Sequence, residues 1–63
     1  MKLDPNLEKF IEANLSDIKR GQLSRSITHA EDYLFTITNS IQANKELDNF
    51  VRIIRGISRQ QYA

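Results

Sequence analysis

Residues 21–35, GQLSRSITHAEDYLF, bring together several side chains of this 63-residue chain that could do chemistry: two serines, a threonine, the sole histidine and two acids. A serine hydroxyl becomes nucleophilic only beside a base that takes its proton. Ser24 and Ser26 lack a general base in the arrangement catalysis needs, and helix capping accounts for both better, because a hydroxyl satisfies free N–H groups at a helix start. Glu31 and Asp32 are adjacent, so on a helix they point about 100° apart and form no acid–base pair. His29 stands alone. The chain has no cysteine, and a single histidine without carboxylates placed beside it builds no metal site; it reads as a surface residue. No glycine-rich phosphate loop is present. These residues predict no enzyme, no cofactor and no metal.

The elements that position these side chains are helices. Asp4-Pro5 is a start signal, a capping carboxylate followed by the residue best suited to the first helical position. Leu7, Phe10, Ile11, Leu15 and Ile18 then recur every three or four residues and form one apolar stripe. Lys19 and Arg20 suit the negative end of the helix dipole, and Gly21 can take the left-handed conformation that stops the helix. A first helix is therefore predicted over about 5–20.

The second helix, about 26–42, is capped by Ser24, Ser26 or Thr28, the last standing three residues before Glu31 at capping-box spacing. Ile27, Ala30, Leu34, Ile37 and Ile41 form its seam. The run TITNS has poor helical propensity, and YLFTITN admits a strand, but Tyr33, Leu34 and Phe35 are consecutive and break strict alternation. Asn44 can cap a third helix over about 45–57, with Glu46 and Asp48 in its first turn. Its stripe is Leu47, Phe50, Val51, Ile54 and Ile57, widened by Ile53, and Gly56 can stop it. The alternative is one long helix from about 26 to 57, crossing Asn44 without a break.

The fold class that follows is all-α, a small antiparallel bundle of two to three helices in a single domain over 1–63. A chain this short buries only about 60% of the surface its unfolded form exposes, so oligomerisation is expected to complete the core. Asn14, Ile27, Leu34, Phe35 and Ile41 are the expected oligomer interface. Phe35 lies roughly opposite the seam, and Asn14 near the centre of the first stripe, where a polar residue can set register between chains. No apolar run approaches the roughly 18 residues of a membrane span, and MKLDPNLEKF lacks the apolar segment of a signal peptide. The expected location is cytoplasmic.

The segment LDPNLEKFIEANLSDIKRGQLSRSI resembles the helix–loop–helix of ribbon-helix-helix repressors and related antitoxins, which share an acidic-apolar first helix, a glycine, a short polar loop and Ser-x-Ser. The resemblance implies a pair of chains exchanging a short N-terminal strand that reads bases in the DNA major groove, with a phosphate held at the start of the second helix. It spans at most residues 3–35 and departs from the family twice. Only MKL precedes Asp4, so the base-reading strand is essentially missing, and Ser-x-Ser is followed by ITHAEDYL instead of an apolar pair and then alanine. On its own residues the stretch reads as a helix–helix connection.

Charge supplies the last candidate. Nine Lys/Arg and eight Asp/Glu leave a net charge of +1, close to neutral for a protein that coats phosphates. An up-down-up bundle nevertheless collects Lys19, Arg20, Arg25, Arg52, Arg55 and Arg59 at one pole. The last three fall within about 60° on a helical wheel, and Asp17 is the one acid expected nearby. Such a pole suits an anionic partner, either nucleic acid phosphate or an acidic protein face, and also suits the dipoles of the helices that end there. The leading expectation is a small non-enzymatic regulator or adaptor acting through protein–protein contacts of a dimeric bundle, with itself and another protein as partners. The alternative is a nucleic-acid-binding regulator using the basic pole. Neither a membrane nor a small-molecule substrate is implied.

Overall fold

The computed structural model describes residues 3–62, with side chains through residue 60. Asp4 opens helix α1 (Pro5–Ala13) as expected: its Oδ1 accepts from the Asn6 N–H at 2.8 Å, with Pro5 in the first turn. The helix does not continue to residue 20. Asn14 leaves helical geometry at φ −117°, ψ 22°, and α2 (Leu15–Lys19) follows it as a separate short turn. The cause is local. The Phe10 carbonyl accepts from both the Asn14 side-chain amide at 2.9 Å and the Asn14 N–H at 3.0 Å, and that N–H also reaches the Ile11 carbonyl at 3.2 Å, the tightened last turn of a helix end. Gly21 then ends α2 at φ 86°, the left-handed geometry in which its N–H reaches the Ile18 carbonyl and that of Gln22 reaches Asp17.

Helix α3 (Ser24–Ile37) and helix α4 (Ser40–Tyr62) correct two further boundaries. The helix expected over 26–42 stops at Ile37, and the one expected over 45–57 already begins at Ser40. Thr38 is extended at φ −148°, ψ 175°, and the Asn39 side chain accepts from the Gln42 N–H at 2.9 Å. The Thr36 hydroxyl bonds back to the Asp32 carbonyl at 2.7 Å, a contact that loosens the last turn. Asn39 thus does the work expected of Asn44, and neither Asn44 nor Gly56 interrupts α4. The long single helix is broken as well, by Thr38. Four helices replace the expected two or three, and no strand occurs among the described residues.

At about 1.5 Å per residue, the 23 residues of α4 match the longest dimension of the molecule, 35 Å. This helix is the spine: α3 returns antiparallel along it through the two-residue turn at 38–39, and α2 packs on it as well. Helix α1 also runs against α3. Tyr33, near the end of α3, donates from its hydroxyl to Asp4 Oδ1 at 3.1 Å and accepts from Asn6 Nδ2 at 2.8 Å. Further along, the Phe10 ring stacks on His29 at 4.1 Å and tilts against Phe50 at 6.5 Å.

The core draws on every helix. Leu3, Leu7 and Ile11 line one face of the first segment, Ile18 enters from α2, Ala30 and Leu34 from α3, and Ala43, Phe50 and Ile54 from α4. Phe50, Leu7, Ile18, Leu34 and Ile54 are the large side chains sealed from solvent, each contributing about 1.5–3 kcal/mol on burial. The α3 stripe is turned from the expected seam. Ser26, Ala30 and Leu34 face inward, whereas Ile37 and Ile41 are 51% and 73% exposed. No helix among the described residues is long and apolar enough to cross a membrane.

Candidate interaction surfaces

Three surfaces carry the residues that could meet a partner. The first is the tip of the α3–α4 hairpin. Phe35 and Ile37 close α3 and Ile41 opens α4, and all three stand in solvent, Phe35 at 42% exposure. They share this end because the chain reverses at Thr38–Asn39, which carries the last turn of one helix and the first turn of the next to the same place. Of the expected interface residues, Phe35 and Ile41 are therefore available to a partner. Leu34 is not: it is fully buried in the core of its own chain, so its place in an oligomer interface is corrected. Ile27 is half-buried against that core. Asn14 is half-buried too, and its amide nitrogen already has a partner within the chain in the Phe10 carbonyl.

The second surface is basic. Lys19 and Arg20 end α2, Arg25 lies in the first turn of α3, and Arg52, Arg55 and Arg59 ride on the second half of α4; all six are exposed. Hairpin pairing sets the start of α3 beside the second half of α4, so these cations share the half of the molecule away from the tip. Arg52 forms an ion pair with Asp48 at 3.4 Å, with both side chains well exposed, a geometry worth little in water. The expectation that Asp17 is the one acid nearby is corrected. Asp48 stands beside Arg52, and Glu8 and Glu12 of α1 line, with Leu3, Ile11 and Ile53, one shallow groove of about 360 Å³.

A third feature has no counterpart in the sequence reading. Asn14, Asp17, Gly21, Gln22, Leu23, Ser24, Arg25 and Ser26 line a cleft of about 470 Å³ between the α1–α2 junction and the start of α3. Ser24 and Ser26, read as caps, do not act as caps: Leu23 holds the cap position of α3, with no side-chain bond to the helix. Ser26 lies one turn further in, 3% exposed. His29 is exposed and stacked on Phe10, and neither serine bonds to it. The one sequence signal for the cleft was the SRS triplet itself, whose hydroxyls fit a helix start in either role.

Comparison with protein families, curated proteins and solved structures finds no match to this chain.

Proposed function

We propose that this protein is a small regulator or adaptor that works by protein–protein contact, with the hairpin tip as its anchor. The observation that carries the reading is the exposure of Phe35, Ile37 and Ile41 together at one end of the molecule. At roughly 200 Å² for a large side chain in the open, their exposed fractions sum to about 300 Å² of apolar surface spread around that end of the molecule. Two such tips pressed together would hide about 600 Å², well short of the roughly 1,200 Å² of a specific stable interface. A second copy bound through the tip alone therefore gives a weak dimer. A partner with an apolar groove closes around a protruding tip and buries more, and that is the occupant proposed.

The test uses the triple variant Phe35→Ser, Ile37→Ser, Ile41→Ser, whose sites lie outside the core. Affinity capture from native host cells with the wild-type chain and the variant, read side by side, should yield a protein retained by the first and lost from the second. Sedimentation equilibrium of both chains should give a monomer at micromolar concentration. A wild-type dimer that the variant abolishes would make the tip a self-association surface instead, and captures that do not differ would remove the tip from the mechanism.

A second reading, nucleic acid binding, draws on the exposed Arg25, Arg55 and Arg59. Neutralising phosphates releases counterions, so binding of this kind falls steeply with salt. Binding to random DNA or RNA at low salt, with a slope lost on changing Arg52, Arg55 and Arg59 to Ala, would favour it; no binding at low salt would end it.

A further inference from the structure

The starts of the three longer helices are treated differently. Asp4 caps α1 and Asn39 caps α4 with side-chain oxygens, but α3 has no such cap. The backbone N–H groups of Ser24, Arg25 and Ser26 find no acceptor in the chain, because the first bond of this helix runs from Ile27 to the Leu23 carbonyl. Unpaired N–H groups at a helix start, together with the positive end of the dipole, favour an oxyanion.

Ser26 supplies the independent observation. The residue is 97% buried, yet its hydroxyl makes no hydrogen bond within the chain. No fully enclosed polar side-chain atom among the described residues lacks a partner. The Ser26 hydroxyl is therefore not fully enclosed, and Ser26 is one of the residues that line the cleft.

The opposite wall has the reverse character. Asp17 is half-buried there and engages no cation, and Asn14, which spends its amide donor on Phe10, keeps its side-chain carbonyl free to accept. The α3 side of the cleft thus offers donors and positive charge, from three N–H groups, the Ser26 hydroxyl and the basic residue Arg25. The facing wall offers a carboxylate and an amide oxygen. A simple anion such as phosphate would meet Asp17 as a like charge, and a simple cation would meet Arg25. A molecule carrying both charges satisfies both walls.

We infer that this cleft binds a small zwitterion of the amino-acid or short-peptide class, with its carboxylate on the start of α3 and its ammonium on Asp17. The inference is independent of the hairpin tip, which lies at the other end of α3.

The experiment is a titration of ¹⁵N-labelled protein with glycylglycine, following the backbone amides of Ser24, Arg25 and Ser26. Acetate, methylammonium and inorganic phosphate are run as single-charge controls. Saturable shifts confined to the cleft are expected, with an affinity on the order of 1 mM for so small a probe. Each single-charge control should bind at least about tenfold more weakly, a difference of about 1.4 kcal/mol. Asp17→Asn should weaken glycylglycine by a similar factor while leaving acetate unchanged or tighter, and Ser26→Ala should weaken both. Circular dichroism establishes that each variant is folded, and either variant alone suffices for the test. Absence of saturation by glycylglycine, acetate or phosphate binding as tightly as glycylglycine, or wild-type affinity in a folded Asp17→Asn or Ser26→Ala variant would each overturn the inference.

Discussion

Gly56→Ala is the most direct test of how far α4 extends. Gly56 lies well inside the helix Ser40–Tyr62, and a β-carbon built there meets no atom within 4 Å. The substitution therefore adds no clash and removes the entropy that glycine loses on ordering, so it should stabilise the fold by about 0.5–1 kcal/mol. For a domain of this size about 1 kcal/mol moves Tm by roughly 4–8 °C, and a rise of about 2–8 °C is expected. Thermal unfolding followed by circular dichroism at a helical wavelength reads it directly. The sign is what decides. Were Gly56 a stop signal in left-handed geometry, alanine would cost about 1–2 kcal/mol there and Tm would fall. Gly21 is the internal control: its φ of 86° makes Gly21→Ala destabilising by about 1 kcal/mol. Two glycines in one chain should thus respond in opposite directions. A fall in Tm for Gly56→Ala would refute the reasoning and end α4 near residue 55.

Two further perturbations address the boundaries and the core. Asn39→Ala removes the cap on Gln42 and should cost about 1 kcal/mol, whereas Asn44→Ala, exposed within α4, should be neutral or slightly stabilising; urea melts of the pair compare the two starts, and the reverse order would return the helix start to Asn44. Phe50→Ala removes a sealed ring that leans on Phe10 and should cost about 3–5 kcal/mol. Stability for 63 residues is on the order of 3–9 kcal/mol, so urea melts and amide dispersion in NMR should show a marginally stable or largely unfolded chain.

Some of this architecture was legible because it depends on neighbours in sequence. The Asp4-Pro5 cap, the Gly21 stop and the apolar spacing of Leu7, Ile11 and Ile18 or Phe50 and Ile54 need only a few residues each. The weakness of TITNS is visible too, yet Glu46 and Asp48 suit a first turn after Asn44, whereas the helix has already begun behind Asn39. Other features depend on packing across the chain. Asn14 ends α1 in a tightened turn that spacing does not encode, since an asparagine in mid-stripe suits a chain contact equally well. The docking of α3 buries Ser26 while leaving Ile27 half-buried against the same core. The expected basic pole lost its simplicity for the same reason. Glu8 and Glu12 share a groove with Ile53 of α4, and no local pattern announces that. The cleft between Asp17 and Ser26 arises from the turn at Gly21, so its two walls lie close in sequence and differ only in which helix presents them.

The tie between Tyr33 and the start of α1 has a kinetic meaning. It joins residues 29 and 27 positions apart, while α3 and α4 meet through a turn of two residues. Closing the longer loop costs more chain entropy, and contacts between near neighbours form sooner. The hairpin is thus the natural nucleus, and α1 docks onto it late. Substitutions at Leu34 or Ala43 should slow folding, whereas loss of the Tyr33 hydroxyl should leave the folding rate nearly untouched and quicken unfolding. The first helix is then the part that opens first when the native state fluctuates, exposing Phe50 before the hairpin itself comes apart.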